Sequence, residues 1–258
     1  MLIKAVTIPS NKVFCENIPT PFWNDLTDFS FKDTVDLWKI SIKDNLSSLA
    51  FFQNILSQEE LVRVNRYHQK TDKSRFTIGK GMLRILLANY LGGAPKDIRF
   101  NKGFNKKPFV DPPGTLQFNV SYSNNWIIIA ISSETVGLDI EYINENFTYQ
   151  QIMSDFFTKE EIESIMSATI PQNAFFKLWT RKEALLKATS WGLDDHLKDL
   201  NCLDGFQPIS KKLGRNTDWQ IRSFLMEKEY YISIATNNQK AFRYCNNSYS
   251  SILKGTGG

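Results

Sequence analysis

Asp139 and Glu141 stand two apart in an otherwise apolar run, VGLDIEYI over 136–143, and Glu183 and Lys187 stand four apart in LWTRKEALLKA over 178–188. Side chains alternate along a strand, so 139 and 141 point the same way. Two neighbouring carboxylates repel, and burial adds to the cost, so a cation belongs between them. On a helix Trp179, Glu183 and Lys187 share a face, with Lys182 about a quarter-turn from Glu183. Carboxylate oxygens from Asp139, Glu141 and Glu183 would suit magnesium, or manganese, better than zinc. Spacing alone leaves plainer readings open: an edge strand facing Lys or Arg, and a solvated Glu–Lys pair on a helix.

Cations gather upstream. Arg63, Arg66, Lys70, Lys73 and Arg75 follow one another, and Lys102, Lys106 and Lys107 surround a Gly/Pro-rich loop. Each could be a solvated face. Beside an acidic metal site they describe a grip on a polyphosphate. The rest of the composition excludes other chemistries. Two histidines, His68 and His196, and no H-E-x-x-H argue against zinc hydrolysis or a His triad. Cys15, Cys202 and Cys245 are odd in number and lack C-x-x-C spacing, so neither a disulfide framework nor a thiolate site is expected. A net charge of +4 suits an anionic ligand but not nucleic acid alone. The longest tight apolar run, WIIIAI, is strand-sized, and the N-terminus has no signal-peptide core, which predicts a cytoplasmic protein without a membrane span.

The elements that position these groups are readable in outline. Residues 35–43 alternate as a strand, and capping boxes at Ser57/Glu60 and Thr158/Glu161 start two helices. A long helix is expected over about 70–91, and another over 171–190 with Pro171 near its start and Gly192 past its end. WIIIAIS and VGLDIEYI are expected to form a hairpin through Ser133–Thr135, and WQIRSFLM with YYISIATN a closing strand pair. With 258 residues and 42% hydrophobic composition, this predicts an α+β fold of two similar, pseudo-symmetric lobes. Each lobe is a small antiparallel sheet packed with helices, and the active site lies between them. The expected division is 1–134, 135–250 and a flexible tail at 251–258.

VGLDIE, followed about forty residues on by LWTRKEALLKA, resembles the paired signature G-x-D-x-E and W-x-x-K-E-A-x-x-K of 4′-phosphopantetheinyl transferases. Gly137, Asp139, Glu141, Trp179, Lys182, Glu183, Ala184 and Lys187 fill it completely. LSQEELVRVNRY, KTDKSRF, KKPF and FNVSYS resemble, in order, upstream blocks of the larger, single-chain branch. The resemblance implies a monomeric enzyme whose substrates are coenzyme A and an apo acyl or peptidyl carrier protein. A carrier serine attacks the β-phosphate, and 3′,5′-ADP leaves. It assigns Asp139, Glu141 and Glu183 to Mg²⁺ (Mn²⁺ as the alternative), and catalysis to Glu183, Lys187 and Lys182. Arg63, Arg75, Lys107, Ser121, Tyr122, Lys182 and Lys187 fall at coenzyme contacts, while Trp179 packs. The C-terminal lobe would carry metal and catalysis, the N-terminal lobe the nucleotide contacts, and residues around 143–165 the carrier.

Tyr122 departs from the family's N-x-S-H-S, where a histidine faces the 3′-phosphate. NKKP also lacks the usual Gly before Lys-Pro. Losing the histidine's charge-assisted bond would cost about 1–2 kcal/mol of coenzyme binding. A non-catalytic coenzyme or carrier binder and a metal-dependent nucleotide pyrophosphohydrolase are the competing readings.

Overall fold

The structure is a computed structural model describing residues 11–26, 28–30, 33–103, 107–112, 114, 116–190, 197–209, 217–237 and 240–246. His196, Lys106, Gly192 and the tail lie outside the described residues.

Two sheets pack back to back between helices. The first sheet holds β2 (Thr34–Ser41), β5 (Gln117–Ser123), β6 (Trp126–Ser132) and β11 (Ala241–Asn246), in the order β11-β2-β6-β5. The second holds β1 (Lys12–Asn17), β7 (Val136–Tyr142), β8 (Gly205–Pro208), β9 (Trp219–Met226) and β10 (Tyr230–Thr236), in the order β7-β10-β9-β1-β8. A two-stranded ribbon, β3 (Arg99–Lys102) with β4 (Pro108–Asp111), flanks the first.

Helices α1 (Leu49–Ile55), α2 (Gln58–Arg66) and α3 (Lys70–Leu91) belong to the first lobe. Helices α4 (Gln150–Phe156), α5 (Lys159–Ser167) and α6 (Pro171–Thr189) belong to the second. Both expected capping boxes form, at Ser57/Glu60 and Thr158/Glu161. Leu91 ends α3 because Gly92 turns left-handed, whereas α6 ends on a left-handed Ser190.

Period-two alternation divides the apolar residues among three cores. Trp38, Ile40, Ile127, Ile129 and Ile131 pack beneath α3, and Ala184, Leu185, Tyr231 and Ala235 lie in the core around α6. Val35, Leu37, Ile128 and Ala130 meet Val136, Leu138, Ile140, Ile232 and Ile234 between the sheets. This is why β7 reads as almost wholly apolar. Its Val, Leu and Ile face the other sheet, and Gly137, Asp139 and Glu141 face the opposite way, Gly137 against α6. A Cβ on Gly137 would stand 2.0 Å from the Ala184 carbonyl oxygen and 2.4 Å from the Ala188 nitrogen, so only glycine lets β7 lie this close to α6.

Three expectations need correction. β6 and β7 are not a hairpin: they lie in different sheets, and 133–135 carries the chain across. The hairpin is β5–β6, closed at Asn124, whose φ is 46°. The lobes also exchange their ends. β1 joins the second-lobe sheet, pairing parallel to β9, and β11 joins the first-lobe sheet, pairing parallel to β2. Neither sheet is therefore purely antiparallel, and lobes bounded at 134/135 each lack a strand. Arg243 of β11 is fixed by a two-pronged bond to Asp36 of β2, at 2.6 and 2.5 Å, and the Tyr90 hydroxyl donates to the same carboxylate. No helix among the described residues is long and apolar enough to cross a membrane.

Candidate active site

The cation between the strand carboxylates is Lys187. Its ammonium lies 2.6 Å from Asp139 Oδ1 and 3.2 Å from Ser121 Oγ, and the Ser121 hydroxyl donates to the same Asp139 oxygen at 2.9 Å. Asp139 Oδ2 is buried with no hydrogen-bond partner. Burial and the Asp139 charge push Glu141 up to about 7 and also raise Glu183. Burial pulls the Lys187 ammonium down, but Asp139, Glu183 and Glu141 outweigh it, so the net shift is upward. Three carboxylates thus face one lysine, and the cluster is short of positive charge.

The donor set is all carboxylate oxygen, and the unpartnered buried Oδ2 together with two raised neighbours fits a hard divalent cation. As the side chains stand, no three acidic, histidine or cysteine groups among the described residues converge on one point.

The N-terminal lobe carries the expected coenzyme contacts. Arg75 lies over the Tyr122 ring at 4.5 Å and pairs with Asp72 at 2.6 Å. Tyr122 is half exposed, so the residue that departs from the family pattern presents its ring and Arg75 together. Arg63 stacks on Phe76 at 4.8 Å, in a groove of about 1010 Å³ that Arg66, Lys80, Arg99 and Lys102 also line.

Lys107 reaches across to the end of α6. It donates to the carbonyls of Val136, Lys187 and Ala188 at 3.2, 2.8 and 3.3 Å, and burial lowers it to about 8. An ammonium there complements the helix's C-terminal dipole. Its expected partner was a phosphate, and in this structure it holds backbone.

Lys182 stands apart from the expected site. Its side chain is buried and its ammonium meets Glu161 Oε2 at 2.7 Å, the Leu197 carbonyl at 2.8 Å and the Leu200 carbonyl. The reason is the quarter-turn between 182 and 183: Glu183 looks toward β7, and Lys182 looks into the lobe's core. It touches no group of the Asp139 cluster, which corrects its assignment to catalysis and phosphate binding. Trp179 packs as expected, against Phe175 at 5.9 Å and Phe156 at 5.4 Å. In the stretch thought to face a carrier, Phe157 and Tyr149 are core and Phe147 is exposed.

Two further residues enter the site's frame. Asn119 Oδ1 accepts the Leu138 N–H at 3.0 Å, and Ser123 Oγ accepts the Tyr142 N–H at 2.9 Å. Their signal in sequence was the alternation of polar residues in NVSYS, which marks one polar edge of a strand.

Comparison with known proteins identifies the family. The family model described as the 4′-phosphopantetheinyl transferase superfamily matches residues 135–235, and one described as 4′-phosphopantetheinyl transferase, N-terminal, matches 39–134. Similar relatives include 4′-phosphopantetheinyl transferase HetI of Nostoc sp. and gsp of Aneurinibacillus migulanus. HetI is 35% identical over 62% of this chain and 70% of its own length, and gsp is 35% identical over 55% and 60%. Sfp of Bacillus subtilis is 28% identical over 55% of this chain and 63% of its own. The chain belongs to the 4′-phosphopantetheinyl transferase superfamily and is an enzyme of that class.

Proposed function

We propose that this chain transfers the 4′-phosphopantetheine arm of coenzyme A to a serine hydroxyl of an apo carrier protein, releasing 3′,5′-ADP. The observation that carries the reading is the charge imbalance around Asp139. One of its oxygens is held by Lys187 and Ser121, the other is buried without a partner, and Glu141 and Glu183 flank it as carboxyl groups whose pKa burial has raised.

Asp139, Glu141 and Glu183 would hold Mg²⁺, or Mn²⁺, in this reading. When bound, the ion supplies charge for the pyrophosphate oxygens. The residues of the chain do the rest. Glu183, its pKa raised by burial and by the Asp139 charge, takes the proton of the attacking serine hydroxyl, directly or through one water. The Lys187 ammonium lies against the carboxylates and meets the charge that develops on the leaving phosphate. Arg75 and Tyr122 present a cation and a hydroxyl toward the coenzyme's 3′-phosphate, and Arg63 lines the groove beside them. Lys107 braces the end of α6 and so holds Lys187 in place. The chain is read as a monomer, and the need for coenzyme A keeps the cytoplasm as the expected location.

Mixing the protein with coenzyme A, Mg²⁺ and apo carriers of fatty-acid, polyketide and peptide type tests this. The expected result is a carrier heavier by one phosphopantetheine, lost on chelation. No adduct on any carrier would refute the proposal, and 3′,5′-ADP released without a carrier would favour a pyrophosphohydrolase.

A further inference from the structure

β7 is the outer strand of its sheet, paired on one side with β10. The N–H groups on its free side need acceptors, and an open edge invites foreign strands. β5 supplies acceptors from side chains rather than backbone. Asn119, Ser121 and Ser123 accept the N–H groups of Leu138, Ile140 and Tyr142 at 3.0, 3.4 and 2.9 Å. The spacing is two on both strands, so the rungs stay in step. Each serine also does a second job: Ser121 donates to Asp139 at 2.9 Å, and Ser123 hydrogen-bonds the Glu141 carboxylate.

We propose that Asn119 and Ser123 are positioning residues for the transfer reaction. Resting on the functional reading above, the role is to set where Asp139 and Glu141 stand relative to Arg75, Tyr122 and Lys107 across the lobe boundary. Neither residue needs to touch a substrate. Water would satisfy the same N–H groups, so what the side chains add is fixed geometry: removing them leaves β7 paired with β10 and tied to β5 through Ser121 alone. The small displacements this permits lower turnover far more than binding.

The test is the Asn119→Ala and Ser123→Ala pair, alone and combined, with Ser123→Thr as the conservative control. Amide exchange at Leu138 and Tyr142 is expected to quicken about tenfold while exchange in β9 is unchanged. The kcat for transfer should fall about tenfold, with KM for coenzyme A within about twofold, and Ser123→Thr should recover it. Unchanged exchange would overturn the rungs. Faster exchange with kcat within about twofold of wild type would overturn the positioning role. If the unaltered chain transfers nothing to any carrier, the functional reading fails and the positioning role falls with it. The exchange data separate that outcome, since they judge the rungs without any activity.

Discussion

The two lobes repeat one device. In the first, the capping-box carboxylate Glu60 meets buried Arg84 of α3 at 2.7 Å, and Arg84 also donates to the carbonyls of Pro95 and Ile98 at 2.9 and 2.8 Å. In the second, the capping-box carboxylate Glu161 meets buried Lys182 of α6 at 2.7 Å, and Lys182 donates to the carbonyls of Leu197 and Leu200. Each cation lies seven residues before the end of its helix, Leu91 and Thr189 respectively. The lobes differ five positions further on. There α3 carries Asn89, which bonds only back to the Ile85 carbonyl among its recorded partners, and α6 carries Lys187, which faces three carboxylates. What is duplicated is scaffold, fully paired and buried. What is unique to α6 is short of positive charge, and that is where chemistry can happen.

The largest expected effect separates these directly. Glu183→Gln should lower kcat for transfer about a thousandfold, read as carrier mass against time, with the urea midpoint nearly unmoved. Lys182→Met should lose about 3–5 kcal/mol in urea unfolding because buried Glu161 is left without its cation, and Arg84→Met should lose less because Glu60 is part exposed. Pairing Lys182→Met with Glu161→Gln should recover much of that loss. If Lys182→Met instead raised KM for coenzyme A in a protein of unchanged stability, the comparison would break.

A gentler test uses pH. The folded protein holds Glu141 at about 7 against an ordinary value of 4.5, and Glu183 is raised too, so in that window it binds more protons than the unfolded chain. Stability should therefore fall as pH rises through the window. Thermal melting without divalent ions should show that decline, and Glu141→Gln should flatten it. Smallest is Tyr122→His, which exchanges the ring under Arg75 for an imidazole donor. Because the Arg75 contact with the Tyr122 ring is given up in exchange, KM for coenzyme A should fall by less than the roughly tenfold that 1–2 kcal/mol alone would give, read in steady-state assays.

Much of this was legible in the sequence because it is local. The capping boxes, the span of α3, the period-two face of β7 and the row Trp179, Glu183, Lys187 all follow from short-range rules. The unread parts depend on partners far along the chain. Lys182 and Glu183 are neighbours in sequence, and only the place of Glu161 shows that the lysine is spoken for. Lys107 looked like a phosphate ligand because nothing local reveals the carbonyls at the end of α6. The segment at 133–135 has the composition of a tight turn, and whether it turns within a sheet or passes between two depends on β10 and β2 claiming β7 and β6 first.

The exchange of terminal strands bears on how the protein is made. The first lobe's sheet lacks its outer strand until Ala241–Asn246 leaves the ribosome, and β1 waits for β9, which lies far along the chain from it. Neither lobe's sheet can therefore be completed before the chain has passed β9. Until β11 follows, β2 offers an open edge to its surroundings, and both halves are completed by the same short stretch, β9 to β11.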